Sequence, residues 1–203
     1  MHRFLALGDS YTIGESVDPE GRWPNQLRAL LRGDDIQVAD PQIIAVTGWT
    51  TYELDAGIDR AAPEGTYDLV SLLIGVNNQY RGRSPEEYRA QFSALLGRAV
   101  RFAAGRPDHV LVLSIPDWGV TPFAAGRDRA RISAEIDSFN AINREESLRA
   151  GAHYIDVTPT SRRAPQHLDL IAPDGLHPSA TMYAEWAALA LPAARAALQS
   201  PRN

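Results

Sequence analysis

The chain has 203 residues, of which 44% are hydrophobic and 22% charged, a length and composition typical of one globular domain with a sizeable core. Its formal net charge of −5 argues against binding to nucleic acid or to an anionic membrane surface. Cysteine is absent and every basic residue is arginine, which excludes disulfides, thiolate chemistry and any mechanism that needs a catalytic lysine.

The chain opens with a short apolar run, Phe4–Leu7, which we interpret as a buried β-strand. This run is too short for the core of a signal peptide, and no run approaches the length of a membrane span. We therefore expect a cytoplasmic protein without a membrane-spanning segment. The sequence GDSY follows directly, and it places Ser10 in a predicted turn flanked by Gly8 and Gly14.

Strand-like apolar runs then alternate with helical patterns along the chain. Further strands are predicted at Gln42–Val46, Asp68–Ile74, His109–Ile115 and His153–Val157. Helices are predicted over Pro24–Arg32 and Thr51–Ala61, after the N-caps Ser84 and Asp128, the latter ending at Gly151, and from about Ser179. This alternation predicts a parallel sheet covered on both faces, that is, one three-layer α/β/α sandwich spanning residues 1–203.

In such sheets ligands bind beyond the carboxyl ends of the strands, so the polar segments after each strand carry the functional information. After the first four strands these segments read GDSYT, TGWTT, GVNNQY and PDWGV. After the fifth strand a longer loop leads to DGLHPS, residues 174–179. Because the strands run parallel, we expect all five segments at the same edge of the sheet.

Together these segments contain the parts of an acyl-transfer site. Ser10 is the candidate nucleophile, His177 the candidate base and Asp174 the group that would orient the imidazole. With the N–H of Ser10, the N–H of Gly48 and the amide of Asn77 could stabilise an oxyanion. Each residue alone is better explained as a turn or loop residue. Their joint placement at one predicted edge favours the functional interpretation.

The chain resembles the SGNH hydrolase superfamily, the GDSL-type esterases and lipases. Four blocks in the family's order carry the resemblance: GDSY, TGWTT, GVNNQ and DGLHPS. The resemblance implies a flavodoxin-like fold of five parallel strands in the order 2-1-3-4-5. It also implies that Ser10 is the nucleophile, that His177 is the base oriented by Asp174, and that Ser10, Gly48 and Asn77 form the oxyanion hole. No cofactor or metal is expected, and the partner is a small-molecule ester.

Two departures from the family pattern stand next to the candidate site. Tyr11 replaces the leucine of the family name, and Asn78 stands where an aspartate is frequent, so any role of that carboxylate must fall to an amide or to another group. Asp9 precedes the candidate nucleophile. The resemblance implies a structural role for it, in holding the turn.

Several alternatives remain open from the sequence. A lipase, lysophospholipase, thioesterase or acetylesterase would use the same residues, as would an acyltransferase that shares the acyl-serine. A non-catalytic binding module on the same fold is the alternative from another class. A metal site built from Asp9, Asp174 and His177, or phosphorylation of Asp9, is less well supported, because the spacing fits no common metal motif and no lysine accompanies Asp9.

Other residues near the predicted edge are less informative. The aromatic residues either line a substrate pocket or pack against the core: Trp49, Tyr80, Trp118 and Phe123. The segment 116–127, with two prolines and two glycines, is a candidate movable flap. The remaining histidines are expected to be structural or solvated: His2, His109, His153 and His167.

Overall fold

A computed structural model, which describes residues 1–199, contains one five-stranded sheet in which every neighbouring pair is parallel. The strands are β1 (Phe4–Gly8), β2 (Gln42–Ala45), β3 (Leu69–Leu73), β4 (Val110–Leu113) and β5 (His153–Ile155), in the order β2-β1-β3-β4-β5. The predicted fold class and strand order are therefore confirmed. The last four residues of the predicted domain, 200–203, lie outside the described part of the chain.

Eight α-helices accompany the sheet in the described residues. They are α1 (Ser10–Ile13), α2 (Trp23–Gly33), α3 (Thr51–Ala61), α4 (Val76–Tyr80), α5 (Pro85–Phe102), α6 (Arg129–Ala150), α7 (Thr158–Ser161) and α8 (Ala180–Gln199). Helices α2 and α8 pack together and form one group. Helices α3, α5 and α6 form the other group, in which α5 contacts both α3 and α6. These two groups are the outer layers of the predicted sandwich.

The predicted long elements are present, with small shifts at their ends. The helix predicted at Thr51–Ala61 has those limits, and Ser84, Asp128 and Gly151 cap helices as expected. The last four strands end earlier than the apolar runs do. Ile74, Ile115 and Val157 are fully buried beyond the last paired residue, because the chain leaves the sheet there while still filling the core. In these three runs the apolar pattern therefore reports burial rather than strand pairing, whereas Val46, after β2, is 47% exposed.

The sequence did not predict three short helices, α1, α4 and α7. Each has four or five residues, which is too short for an apolar stripe of helical period to appear. Two of them carry candidate site residues, since Ser10 begins α1 and Asn77 lies in α4. Both had been interpreted as turn residues.

The last helix, α8, seals one face of the sheet. Its residues Tyr183 and Trp186 are fully buried, and the ring of Trp186 lies 6.3 Å from that of Tyr11 in α1. At its start, the carbonyl of Ala180 accepts a hydrogen bond of 2.9 Å from Gln26 in α2. Within residues 1–199 no helix is both long and apolar enough to cross a bilayer. The cytoplasmic location stays a prediction.

Gly8, the last residue of β1, allows the sharp passage from the sheet into α1. A Cβ at this position would lie 2.2 Å from the hydroxyl oxygen of Thr12 and 2.4 Å from the carbonyl oxygen of Leu73. The second of these contacts is with the backbone of a central strand, which cannot move aside without disturbing the sheet. Glycine is required here by space.

We expect Gly8→Ala to lower the free energy of unfolding by about 1–3 kcal/mol, the usual cost of overpacking a core. Gly33→Ala is the matched control, because a Cβ on this helical glycine meets nothing within 4 Å and should stabilise α2 by up to about 1 kcal/mol. Urea denaturation of both variants measures the difference. Equal stabilities would mean that β1 and β3 can separate to accommodate the methyl group.

Candidate active site

Ser10 lies where β1 ends and the chain turns into α1. Asp9 caps this helix, because its Oδ1 accepts the N–H of Tyr11 at 3.0 Å. The N–H of Ser10 is in the first helical turn, where backbone donors have no partner within the helix. Ser10 is only 5% exposed and lines a cavity. The capping bond is the structural role that the resemblance implied for Asp9.

Gly48 lies in the loop between β2 and α3. Its φ of +88° is in the left-handed region, which glycine adopts without strain. Its carbonyl oxygen accepts a 2.6 Å hydrogen bond from the guanidinium of Arg81, which is also ion-paired with Glu53 at 3.2 Å. The hydroxyl of the preceding Thr47 is hydrogen-bonded to Glu15. Side chains on two other segments thus fix this loop, and neither Arg81 nor Glu15 was expected from the sequence.

Asn77 projects from α4, which follows β3. Its Nδ2 donates one hydrogen bond of 2.9 Å to the carbonyl of Trp49. A side-chain amide nitrogen carries two hydrogens, so a second donor remains. Asn77 lines the same cavity as Ser10. The bond to Trp49 links α4 to the loop that carries Gly48.

Asn78 takes the structural place that the family pattern gives to a carboxylate. It is 1% exposed, its Oδ1 accepts the N–H of Thr51 at 3.0 Å, and its Nδ2 donates to the hydroxyl of Thr51 at 2.7 Å. An ionised carboxylate could accept the first of these bonds but could not donate the second. The amide therefore anchors the start of α3 to α4 without burying a charge.

The DGLHPS segment is a tight loop organised by its own carboxylate. Asp174 Oδ1 accepts the backbone N–H groups of Leu176 and His177, each at 2.9 Å, and Oδ2 lies 2.7 Å from Nδ1 of His177. Gly175 supplies the positive φ, +74°, that the turn requires, and its carbonyl accepts the N–H of Phe123 at 2.9 Å. Because Asp174 precedes His177 by three residues, its carboxylate can hold both the backbone of the loop and the imidazole ring.

The charge on Asp174 determines which nitrogen of His177 is available. Partial burial raises the pKa of Asp174, but hydrogen bonds from Ser16, from the His177 ring and from the two backbone N–H groups lower it further. The pKa therefore lies well below its ordinary value, and the carboxylate can only accept. Nδ1 of His177 must donate to it, which leaves Nε2 as the acceptor of the neutral ring.

Four of the five predicted site residues meet at one cavity of about 240 Å³. All five predicted segments contribute to its lining, and the four site residues on it are Ser10, Gly48, Asn77 and His177. Asp174 lies behind His177, and the edge of the Tyr11 ring packs against the imidazole with 5.7 Å between centroids. The structure brings the predicted residues together, and their catalytic roles stay predictions.

Three aromatic side chains also line this cavity: Tyr80, Trp118 and Phe123. The guanidinium of Arg127 lies 5.2–5.4 Å from the centroids of these three rings and joins them. The pocket interpretation therefore fits these three rings. Trp49 instead packs over Gly57, where an added Cβ would lie 2.2 Å from its ring.

The segment 116–127 is more firmly held than a flap. Asp117 is 1% exposed, its N–H donates to the hydroxyl of Ser161 at 2.9 Å, and its carboxylate is paired with Arg162 at 2.9 Å. The indole N–H of Trp118 donates to Gln79 at 2.8 Å. The first half of the segment 116–127 is therefore held in place by these contacts, and the structure does not support a movable flap there.

The remaining histidines lie away from the cavity. His109 is buried, and its Nδ1 is 2.7 Å from the carbonyl oxygen of Asp68, a structural contact at the start of β4. In residues 1–199 no group of three or more His, Asp or Glu side chains is arranged to hold a metal ion.

The sequence and the fold are similar to those of known proteins. The GDSL-like lipase/acylhydrolase family matches residues 6–185. An arylesterase from Vibrio mimicus is 32% identical over 96 residues, 46% of each chain, so in this match the chain spans about half the length of that relative. A lipase/acylhydrolase from Enterococcus faecalis has a TM-score of 0.75 at 18% identity over 100% of both chains. The psychrotrophic esterase EstA from Pseudoalteromonas sp., inhibited by monoethylphosphonate, has a TM-score of 0.69 at 17% identity, covering 98% of this chain and 100% of that one. At such identities the two structures show a shared fold.

Asp9 is the electrostatically unusual residue beside the cavity. It is fully buried, and its Oδ2 has no hydrogen-bond partner among the described residues. Burial raises the pKa of this carboxyl from its ordinary 3.8 to about 7, although the N–H of Tyr11 opposes the shift. Between these two values the unfolded chain loses a proton that the folded chain keeps. The protonated Asp9 carboxyl therefore contributes its full stabilisation of the folded state below pH 3.8. This contribution is lost as the pH rises through about 7, the pKa in the folded state.

We expect Asp9→Asn to remove this pH dependence, because asparagine can cap α1 but cannot ionise. From about pH 4 to about pH 8 the wild type should lose about 2–4 kcal/mol of unfolding free energy relative to the variant. Urea denaturation of both proteins across this range is the measurement. Parallel stability curves would show that Asp9 is ionised throughout.

Proposed function

Because the chain belongs to the GDSL-like lipase/acylhydrolase family, we propose that it is a serine esterase, which hydrolyses carboxylic esters through an acyl-serine intermediate. The observation that supports this most directly is the state of His177. Its Nδ1 is held by an ionised carboxylate, and the ring lines the same small cavity as Ser10. Such a ring is prepared to accept a proton at Nε2.

In the first step the hydroxyl oxygen of Ser10 attacks the ester carbonyl carbon while Nε2 of His177 takes the hydroxyl proton. The carbonyl oxygen becomes an oxyanion, which the N–H groups of Ser10 and Gly48 and the second amide hydrogen of Asn77 would stabilise. Asp174 stabilises the imidazolium that forms. Collapse of the tetrahedral intermediate breaks the bond to the alcohol oxygen, which receives the proton from His177.

In the second step water attacks the acyl-serine. His177 again takes the proton, the same donors hold the second oxyanion, and release of the acid regenerates the hydroxyl of Ser10. The free carboxylic acid and the alcohol are the products. An alcohol in place of water would give acyl transfer by the same steps.

The cavity suggests which esters fit. Its volume of about 240 Å³ is below the usual range for ligand sites, and three aromatic side chains line it. We therefore propose short acyl groups, with apolar or aromatic alcohols against Tyr80, Trp118 and Phe123. The arylesterase among the relatives agrees with aryl esters as the first substrates to test.

Ser10→Ala should reduce hydrolysis of p-nitrophenyl acetate on the order of 10⁴-fold or more, because the nucleophile is lost while the fold is kept. Rates with acetate, butyrate and octanoate esters should fall as the acyl chain lengthens. Circular dichroism controls for folding, and labelling by a fluorophosphonate should occur in the wild type only. A folded Ser10→Ala protein with wild-type activity would contradict the proposal, and an unlabelled, inactive wild type would favour a binding module.

Asn77→Ala should lower kcat about a hundredfold to a thousandfold and change KM little, as expected for a donor that acts in the transition state. Asn25→Ala is the matched control, because its amide also bonds a backbone carbonyl, that of Pro19, but lies away from the cavity. Steady-state kinetics with one aryl ester compare the two. If both variants turn over like the wild type, Asn77 does not contribute to an oxyanion hole.

A further inference from the structure

The turn that follows α1 has an unusual backbone. Gly14 ends the helix with φ +70°, and the N–H groups of Gly14 and Glu15 both donate to the carbonyl of Ser10 at 3.0 Å. Ser16 then adopts φ +65°, the left-handed region that residues with a Cβ avoid. Glycine would occupy this position without strain. The partner of the serine hydroxyl shows what this residue contributes at the position.

That side chain contacts the DGLHPS loop. The hydroxyl of Ser16 donates a hydrogen bond of 2.6 Å to Asp174 Oδ2, the oxygen that also accepts Nδ1–H of His177 at 2.7 Å. The neighbouring Glu15 is bonded to Thr47, next to Gly48. Two consecutive residues after the helix of Ser10 therefore tie it to two of the loops that line the cavity, those of Gly48 and His177.

We propose that Ser16 is a positioning residue of the active site, which acts through Asp174 on the imidazole of His177. This inference rests on the proposed function. Asp174 has two oxygens and four donors: two backbone N–H groups on Oδ1, and His177 and Ser16 on Oδ2. Only the bond from Ser16 comes from outside the loop. It fixes the carboxylate, and with it the ring, relative to the helix that carries Ser10.

The same bond adjusts the charge that His177 experiences. By donating to Oδ2, the Ser16 hydroxyl disperses negative charge that would otherwise stabilise the protonated imidazole more strongly. The other titratable groups around the pair are Tyr11 on α1, Tyr183 on α8, and the carboxyls of Asp9 and Glu15. Burial raises the pKa of both phenols. None of these groups is altered by replacing Ser16.

Ser16→Gly separates the proposed role from a structural one, because it removes the hydroxyl and relieves the backbone strain together. We expect kcat/KM for p-nitrophenyl acetate to fall about tenfold, the effect of one hydrogen bond to a charged group. The acid limb of its pH profile should move to higher pH, and the thermal unfolding midpoint should stay equal or rise. Ser16→Ala should show the same kinetic change.

Two variants serve as controls. Ala104→Gly relieves a similar backbone, φ +57°, after α5, and should leave kinetics unchanged. Ser179→Ala removes the hydroxyl at the end of the same loop, which donates to the carbonyl of Asp169 at 2.6 Å and not to Asp174, and should affect stability alone. Kinetic changes in either control of the size seen with Ser16→Gly would overturn the inference.

The downfield proton resonance of Nδ1–H of His177 reports on the Asp174–His177 bond without requiring turnover. It should shift or broaden in Ser16→Gly and stay unchanged in both controls. A variant with wild-type kinetics, pH profile and resonance would overturn the role of Ser16, even if Ser10→Ala is inactive. If Ser10→Ala keeps full activity, the proposed function itself fails, and an unchanged resonance would then reject the positioning role as well.

Discussion

The parallel pairing of β1 with β2 on one side and β3 on the other is the constraint on which the site depends. Because these three strands end at one edge, Ser10 emerges between the loop that carries Gly48 and the helix that carries Asn77. Two of the three proposed oxyanion donors, Gly48 and Asn77, belong to segments that follow the strands on either side of β1. These segments therefore lie next to Ser10. The sheet therefore sets the spacing, and short hydrogen bonds between loops refine it.

Much of this arrangement was predictable because it depends on signals that are local in sequence. Buried strands appear as continuous apolar runs, helix starts are marked by residues such as Ser84 and Asp128, and the polar blocks follow directly after the strands. The short spacing of Asp174 and His177 suggested their pairing, and the resemblance supplied the strand order. At Asn78 the sequence indicated only that an amide stands in place of the carboxylate, and its two hydrogen bonds with Thr51 appear only in the structure.

The features that were not predicted depend on contacts between distant residues. Helices α1 and α4 are too short to have a period, and are stabilised by capping and by neighbours rather than by an apolar stripe. Nothing around Ser16 or Arg81 in the sequence indicates that one reaches Asp174 and the other Gly48. The aromatic residues show the same limit: similar positions after strands place Trp118 in the cavity wall and Trp49 against Gly57. Composition cannot distinguish these outcomes, because three-dimensional packing decides them.

The position of the DGLHPS loop directly before α8 has a consequence for biosynthesis. Ribosomes add about 5–20 residues per second, so Ser10 is made roughly ten to thirty seconds before His177, which lies near the other end of the chain. During that interval the nascent protein carries the hydroxyl without its base, and the face of the sheet that α8 covers is still open. Reactivity towards esters would thus arrive only with the helix that completes the core. Under the proposed function, a partly synthesised chain lacks the base that Ser10 needs in order to react with an ester.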